Sequence, residues 1–126
     1  MNQGKPLEGK RILILEDDFY LAREEQSLLE QAGAAVVGPF GTAFRIEGLS
    51  DLGYLHGAAI DINLGRGPSF DIAQALKQRG VPFVFVTGYD AAIIPTDLAD
   101  IERVEKPIRP RRFLAAVLRM GQLTTR

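Results

Sequence analysis

Residues 11–18 read Arg-Ile-Leu-Ile-Leu-Glu-Asp-Asp, an apolar run that ends abruptly in three acidic residues. A short continuous apolar run is typical of a parallel strand that is buried on both faces. The next residues, Phe19–Gln31, carry leucines at helical spacing, and Gly33 follows them as a typical helix terminator. This strand, acidic turn and helix predict the first unit of an α/β fold.

The rest of the chain repeats this alternation of strand and helix. Apolar runs predict further strands at residues 34–37, 58–62, 81–86 and 101–104. We predict helices at residues 42–52 and 69–79, a short, Pro-interrupted helix at 90–98, and a last helix that begins near Pro110. We expect Thr42 and Ser69 to cap their helices and Gly38-Pro39 to stop the second strand. Five strands and about five helices indicate a doubly wound parallel sheet with helices on both faces.

The composition fits an ordinary globular domain and excludes several classes of protein. Of 126 residues, 46% are hydrophobic and 25% are charged, and the net charge of -1 gives no global attraction to nucleic acid or to an anionic membrane. The absence of cysteine excludes a disulfide framework and is consistent with a reducing compartment. No apolar run approaches the ~20 residues of a membrane helix, and the N-terminus lacks the apolar stretch of a secretory signal. We therefore expect one cytoplasmic domain over residues 1–126, with its core at about residues 10–122 and no output domain.

Polar residues fall at the ends of the predicted strands. They are Glu16, Asp17 and Asp18 after the first strand, Asp61 at the end of the third, Thr87 after the fourth and Lys106 after the fifth. In open parallel sheets, ligands bind in the crevice beyond the carboxyl ends of the strands, so we expect these side chains to meet there.

Several carboxylates in one crevice repel each other unless positive charge offsets them. Lys106 is one candidate, and a divalent cation such as Mg²⁺, which prefers oxygen ligands, is the other. A carboxylate such as that of Asp61 is a nucleophile toward phosphorus, and the hydroxyl of Thr87 is placed to donate to a phosphoryl oxygen. The pattern therefore favours phosphoryl transfer to a carboxylate.

Four stretches together resemble the receiver domains of two-component response regulators. They are residues 12–18 (Ile-Leu-Ile-Leu-Glu-Asp-Asp), 59–64 (Ala-Ile-Asp-Ile-Asn-Leu), 85–88 (Phe-Val-Thr-Gly) and 104–107 (Val-Glu-Lys-Pro). Their order and spacing cover nearly the whole chain, about residues 10–122. The resemblance implies a flavodoxin-like five-stranded fold.

The resemblance also implies a metal site. Glu16 and Asp17 resemble the acidic pair that holds Mg²⁺ (or Mn²⁺), with Asp17 as the direct ligand. Asp61 and the backbone carbonyl of Asn63 are implied as further ligands. Asp18 lies one residue past the pair, and we expect it to cap the first helix.

The remaining roles follow from the same resemblance. Asp61 corresponds to the phosphoacceptor, Thr87 to the switch hydroxyl, and Lys106 to the lysine of the site, whose bond to Pro107 is often cis in such domains. Arg103 stands where receivers usually carry an aromatic switch residue. Residues 82–89 (Pro-Phe-Val-Phe-Val-Thr-Gly-Tyr) resemble an atypical, often stand-alone subfamily with a Phe-Ala-Thr-Gly-like motif, and Tyr89 is the candidate replacement for the aromatic residue.

The resemblance implies a signalling partner protein and not an enzyme with a separate substrate. We expect Mg²⁺-dependent phosphorylation of Asp61 by a histidine kinase or histidine phosphotransfer protein, and self-dephosphorylation. The output is expected through a downstream protein that binds the face formed by the fourth helix, fifth strand and fifth helix, with no DNA or membrane contact. The chain is expected to be a monomer or a phosphorylation-dependent dimer. The alternative is a phosphorylation-independent pseudo-receiver, which the departure at Arg103 permits.

Two enzyme or cofactor classes on similar sheets fit less well. Haloacid-dehalogenase-like phosphatases need an acid two residues after the nucleophile, and Asn63 cannot protonate a leaving group. A flavodoxin-like FMN binder needs a hydroxyl-rich phosphate loop after the first strand, where Glu16, Asp17 and Asp18 would repel phosphate.

Three features have two interpretations each. Arg109, Arg111, Arg112, Arg119 and Arg126 form either a solvated face or a surface for acidic groups of a partner protein. Ile93 and Ile94 are either part of the core or a patch that binds a partner. His56, the single histidine, is expected at the surface, with a functional role as the alternative.

Overall fold

The computed structural model describes residues 4–123. Within this range the chain forms five strands, three α-helices and three 3₁₀ helices. The strands are β1 (Arg11–Leu15), β2 (Ala35–Phe40), β3 (Gly57–Ile60), β4 (Phe83–Thr87) and β5 (Arg103–Glu105). The α-helices are α1 (Phe19–Gln31), α2 (Asp71–Gln78) and α3 (Pro110–Leu123), and the 3₁₀ helices are Ile46–Leu52, Ala91–Ile93 and Thr96–Leu98.

The strands form one parallel sheet in the order β2-β1-β3-β4-β5. The order reverses between β1 and β3, which pair directly with Leu15 opposite Ile60. This is the topological switch point, where the connections leave toward opposite faces and open a crevice. The flavodoxin-like α/β fold is therefore confirmed.

Two apolar layers cover the sheet because alternate strand residues point to opposite faces. Ile14 and Val86 belong to the layer that also contains Leu29 of α1 and Phe113 of α3. Leu15 and the residues that share its face on neighbouring strands form the opposite layer, which also contains residues of α2 and the 3₁₀ helices. Fully buried strands on both faces hold the carboxyl ends of β1, β3 and β4 in one rigid arrangement.

The prediction that Gly38-Pro39 stops the second strand is wrong, since β2 continues to Phe40. In the described sheet β2 is an edge strand, and a proline without an N–H is tolerated at an edge. The pairing register with β1 shifts between Leu13 and Leu15, which accommodates this irregular segment. The Gly38–Pro39 peptide bond is cis.

The second helix also differs from the prediction, since Ile46–Leu52 is a 3₁₀ helix and Thr42 does not cap it. The carbonyl of Thr42 accepts hydrogen bonds from Arg45 and Arg66 instead, which holds this residue in the preceding loop. Gly48 lies within the segment and lowers its α-helical propensity.

Ser69 does not cap α2, contrary to prediction. Its hydroxyl donates to Asp71 Oδ1 at 2.9 Å, and the helix begins only at Asp71. The prediction of a short or irregular fourth helix is confirmed, because two single 3₁₀ turns flank Pro95. Ile94 packs on the core beside these turns, whereas Ile93 is 39% exposed.

No helix within residues 4–123 is both long enough and apolar enough to cross a membrane. Whether residues 1–126 form one domain without an output domain stays a prediction.

Candidate functional site

The carboxyl ends of β1 and β3 bring two acids together across 45 residues of chain. Because Leu15 and Ile60 are paired in register, the residues that follow them, Glu16 and Asp61, come out side by side. Both are buried, with exposed fractions of 3% and 8%. The predicted convergence of strand ends therefore places two carboxylates where water solvates them poorly.

Lys106 bridges these two acids from the end of β5. Its Nζ donates to Asp61 Oδ2 at 2.8 Å and to Glu16 Oε2 at 3.1 Å. Burial lowers the pKa of Lys106, but the hydrogen bonds to and charges of Asp61 and Glu16 outweigh burial and raise the pKa above its ordinary value. The lysine is therefore a fixed positive charge at neutral pH. Its bond to Pro107 is cis.

Glu16 is only partly compensated. Its Oε2 accepts from Lys106 and, at 3.1 Å, from the backbone N–H of Asp18, while no residue within 4–123 donates to its buried Oε1. Burial and the neighbouring Asp61 carboxylate raise the pKa of Glu16 to about 7, against the opposing effects of Asp18 and Lys106. A further positive charge at this point would favour the ionised form.

Three carboxylates fit a divalent cation. Glu16, Asp17 and Asp61 each offer one oxygen, and these oxygens lie within 4.8 Å of one another. The set consists of hard oxygen donors, one of the acids is exposed, and the unpartnered Oε1 of Glu16 belongs to the same cluster. These properties suit Mg²⁺ or Mn²⁺, which bind a few carboxylates and keep several waters.

Asn63 organises the loop after β3. Its N–H donates to Asp61 Oδ1 at 3.1 Å, so both oxygens of Asp61 are oriented. Its side-chain Oδ1 accepts from the N–H groups of Gly65 and Gly67, two glycines at positive φ. Its Nδ2 donates to the hydroxyl of Tyr89 at 3.1 Å, a contact that sequence reasoning missed.

Thr87, Tyr89 and Arg103 form a connected chain of hydrogen bonds. The Thr87 hydroxyl oxygen, fully buried, accepts from the N–H of Tyr89 at 3.0 Å. The guanidinium of Arg103 donates to the carbonyl of Tyr89 at 3.1 Å. The described residues include no hydrogen bond from Thr87 to Asp61, so in this state the threonine serves the loop after β4.

An open cleft of about 570 Å³ lies over these residues. Asp61, Asn63, Tyr89 and Lys106 line it, together with Asp17 and Asp18. The cleft is large enough for a phosphoryl group, and the largely buried Asp61 lies in its lining. Asp18 has a different role from the other acids of the cleft. Its Oδ1 accepts a hydrogen bond from the N–H of Leu21 at 3.0 Å, so the side chain caps α1 as predicted.

Glu25 is a buried acid that sequence reasoning missed. It lies on the inner face of α1 and is 1% exposed, and neither of its carboxyl oxygens has a partner among the described residues. Burial, reinforced by the nearby charge of Glu16, raises the pKa of Glu25 to about 9. The signal was present, because Glu25 stands four residues after Leu21 and three before Leu28, on the apolar stripe of the helix.

The remaining candidate residues lie away from this cleft. His56 is half-buried, and its Nδ1 accepts from the N–H of Arg11 at 3.0 Å, which gives it a structural role at the start of β1. Burial, with the charges of Lys10 and Arg11, lowers the pKa of His56. Arg126 lies outside the described residues.

Several solved structures similar to this chain are response-regulator receivers. SdrG from Pseudomonas melonis Fr1, solved in a beryllofluoride-activated conformation, is 31% identical, with a TM-score of 0.67 over 86% of this chain and 95% of that one. The HemR receiver domain from Leptospira biflexa, in its non-phosphorylated form, is 26% identical, with a TM-score of 0.73 over 93% and 98% of the two chains. A response regulator receiver protein from Sinorhizobium medicae WSM419, 24% identical with a TM-score of 0.76 over 91% and 96%, shares the fold. The sequence matches no protein-family model and no curated protein.

The fold, the cluster of acids with Lys106 at the ends of the strands, and the likeness to SdrG over almost its full length agree with one another. The chain belongs to the receiver domains of two-component response regulators.

Proposed function

We propose that this receiver accepts a phosphoryl group on Asp61 from a histidine kinase or a histidine phosphotransfer protein and signals through a protein–protein contact. The observation that carries the proposal is the position of Asp61, whose carboxylate lines the open cleft while Lys106 and Asn63 hold its two oxygens. An oriented nucleophile beside a fixed positive charge is the arrangement that phosphoryl transfer requires.

The proposed reaction involves few groups of the protein. A carboxylate oxygen of Asp61 forms a bond to phosphorus, and the bond from phosphorus to the donor's imidazole nitrogen breaks. The electron pair of that bond stays on the nitrogen, which then takes up a proton from solvent. Hydrolysis later replaces the Asp61 oxygen with that of water and releases inorganic phosphate.

Positive charge is what the crevice contributes to this step. Lys106 remains within reach of oxygens on a phosphoryl group attached to Asp61. Glu16, Asp17, Asp61 and the carbonyl of Asn63 would hold Mg²⁺ or Mn²⁺, which neutralises charge on the phosphoryl oxygens when bound. Asn63, two residues after Asp61, has an amide side chain that cannot protonate a leaving group and that is held by its loop and Tyr89. The proposal therefore excludes turnover of a separate substrate.

The signal is proposed to leave the crevice through Thr87. Its hydroxyl turns from the N–H of Tyr89 to a phosphoryl oxygen, which frees the loop that Arg103 and Asn63 also hold. This gives Tyr89, together with Arg103, the switch function that an aromatic residue at the position of Arg103 has in most receivers. The resemblance of residues 82–89 to the atypical subfamily with the Phe-Ala-Thr-Gly-like motif, in which an aromatic residue follows the motif, supports the role of Tyr89. The surface between residues 90–98, β5 and α3 then changes toward the partner.

The phosphodonor protein needs its own contact beside the cleft. Phe19 and Tyr20 follow Asp18 directly and are 63% and 83% exposed, an unusual position for large aromatic side chains. Aromatic residues are enriched in the centres of protein interfaces, which supports this pair as part of the donor-binding surface. The cysteine-free composition of this chain is consistent with the proposed cytoplasmic location of the receiver.

Beryllofluoride, an analogue of a phosphoryl group bound to an aspartate, tests the proposal. With Mg²⁺ present, fluorine NMR of the wild-type protein is expected to show a bound signal that Asp61→Asn lacks. Asp51→Asn is the matched control, because Asp51 is exposed and belongs neither to the lining of the cleft nor to the cluster of acids. A wild-type protein with no bound signal would support the alternative, a pseudo-receiver that signals without phosphate.

A further inference from the structure

A positively charged groove lies between β5 and α3, next to the crevice. It has a volume of about 590 Å³ and begins at Lys106. Six cationic side chains line it: Arg103, Lys106, Arg109, Arg111, Arg112 and Arg119. Two acids, Glu102 and Glu105, are the only opposing charges among its lining residues. This excess is local, since the whole chain has a net charge of -1.

Some of these cations already have partners. Lys106 is bound to Asp61 and Glu16 in the crevice. Arg119 pairs with Glu102 through two hydrogen bonds. Arg103 donates to the carbonyl of Tyr89 and lies 3.9 Å from Glu105. The two acids of the groove are therefore used by Arg119 and Arg103.

The other three arginines of the groove make no intramolecular ion pair or side-chain hydrogen bond within the described residues. Arg109, Arg111 and Arg112 are exposed, and residues 4–123 offer them no ion pair or side-chain hydrogen bond. Arg111 and Arg112 lie in the first turn of α3, where a positive charge opposes the helix dipole. Since these cations do not stabilise the helix, their positions favour a ligand outside the chain.

We propose that the groove is a docking site for an acidic segment of a downstream partner protein. The inference rests on the proposed function, and it names the chemistry of the partner on the output surface. Planar guanidinium groups match carboxylates in bidentate geometry, and three of them converge here. Single-stranded nucleic acid fits less well, because no aromatic side chain lines the groove for base stacking.

Arg103 couples this groove to the crevice. It belongs to the lining of the groove and holds the carbonyl of Tyr89, whose N–H is bonded to Thr87. When Thr87 turns to a phosphoryl group, the loop loses one of its bonds and Arg103 is released toward the groove. Phosphorylation of Asp61 thus increases the affinity for the acidic segment.

The test is fluorescence anisotropy with a labelled peptide rich in glutamate, and with a peptide in which every glutamate is glutamine. The double variant Arg111→Gln, Arg112→Gln is compared with Lys5→Gln, Arg23→Gln, which removes the same charge from exposed positions outside the groove. The glutamate peptide is expected to bind the wild type and the control variant, and the groove variant at least about threefold more weakly. The glutamine peptide is expected not to bind.

Several results would overturn the proposal. Equal binding to the groove variant and the control variant would exclude the groove as the site. Tighter binding of a DNA duplex, abolished in the groove variant, would assign the groove to nucleic acid. Self-association in light scattering that the groove variant loses would assign it to a second copy of the chain.

Beryllofluoride separates this inference from the proposed function. A bound fluorine signal together with an unchanged peptide affinity would overturn the coupling through Arg103 and leave the phosphoacceptor in place. A protein without a bound fluorine signal would contradict the proposed function and the coupling, and the peptide titrations would still decide whether the groove binds an acidic segment.

Discussion

The two buried glutamates, Glu16 in the crevice and Glu25 on α1, differ in the hydrogen bonds and charges that surround them. Glu16 accepts hydrogen bonds from Lys106 and from the backbone of Asp18, and two further carboxylates surround it. Glu25 has no partner for either oxygen among the described residues. Burial raises the pKa of both, to about 7 for Glu16 and to about 9 for Glu25.

The difference lies in the positive charge that each region provides. The crevice supplies hydrogen bonds from Lys106 and room for a cation, and both favour the ionised forms of its acids. Glu25 has no bonded partner among the described residues, and the charge of Lys106 lowers its pKa less than burial raises it, so its carboxyl group is neutral at pH 7 and uncompensated. The crevice therefore stabilises charged carboxylates, whereas the buried carboxyl group of Glu25 on α1 lowers the stability of the protein.

Lys106→Ala removes the positive charge of the crevice and is expected to have the largest effect. The rate of Asp61 phosphorylation by acetyl phosphate with Mg²⁺ should fall by about 100-fold, since one preorganised charge is lost. Lys10→Ala, at an exposed position outside the crevice, should leave the rate unchanged. Intact-protein mass spectrometry over time measures both. A rate within about threefold of the wild type would show that Lys106 does not stabilise the transferring group.

Glu25→Leu is expected to stabilise the protein. The folded state keeps a proton on Glu25 up to a pKa of about 9, whereas the unfolded chain releases it near 4.5. Between these values the unfolded state binds fewer protons, so the free energy of unfolding falls as the pH rises. At pH 7 this lowers stability by about 3 kcal/mol, which the leucine variant should regain.

Urea unfolding between about pH 5 and pH 9 checks this prediction. Glu25→Leu should gain most at the high end and little at the low end. Glu24→Leu is the matched control, because the neighbouring Glu24 is exposed and should behave as the wild type does. If the two variants showed the same pH dependence, Glu25 would not be the buried acid that sets it.

Asp17 and Asp18 are adjacent acids with different expected roles. Replacing them one at a time therefore separates metal binding from helix capping. Asp18→Ala removes the cap of α1 and should cost about 1 kcal/mol of stability while Mg²⁺ binding persists. Asp17→Ala should leave the helix intact and weaken Mg²⁺ binding. Urea unfolding and calorimetric titration with Mg²⁺ distinguish these outcomes, and the reverse assignment would refute the division of roles.

Tyr89→Ala is expected to have the smallest effect on the crevice itself. It removes the contact with Asn63 while leaving Asp61, Lys106 and the acids in place. Phosphorylation by acetyl phosphate should stay within about threefold of the wild type. The gain in glutamate-peptide affinity on activation should decrease, because the loop loses its bond to Asn63 while the backbone bonds of residue 89 to Thr87 and Arg103 remain. A gain as large as that of the wild type would remove Tyr89 from the switch.

The sequence predicted which polar residues meet at the ends of the strands. In a parallel sheet, an acid or lysine directly after a buried strand lies at the carboxyl end of the sheet, beside the corresponding residues of its neighbours. Glu16, Asp61 and Lys106 were therefore located before the fold was known, and the structure places their side chains within hydrogen-bonding distance. The cap at Asp18 followed from equally local rules.

Other features depend on contacts that no local pattern records. The bond between Asn63 and Tyr89 joins loops 26 residues apart, and Arg103 reaches Tyr89 from a strand further along the chain. The helix expected at residues 42–52 is shorter and of the 3₁₀ type, since residues 42–45 belong to a loop in which Arg45 and Arg66 donate to the carbonyl of Thr42. Glu25 lies on the apolar stripe of α1, but a local pattern does not show whether a charged residue there is buried or reaches solvent.

Mapping the phosphorylated residue tests the central claim most directly. The protein is incubated with acetyl phosphate and Mg²⁺, the acyl phosphate is reduced with borohydride, and the converted residue is located by peptide mass spectrometry. We predict conversion of Asp61 to homoserine in the wild type and in Asp51→Asn, and none in Asp61→Asn. Conversion at Asp17 or another acid, or no conversion in the wild type, would contradict the assignment of Asp61 as the phosphoacceptor.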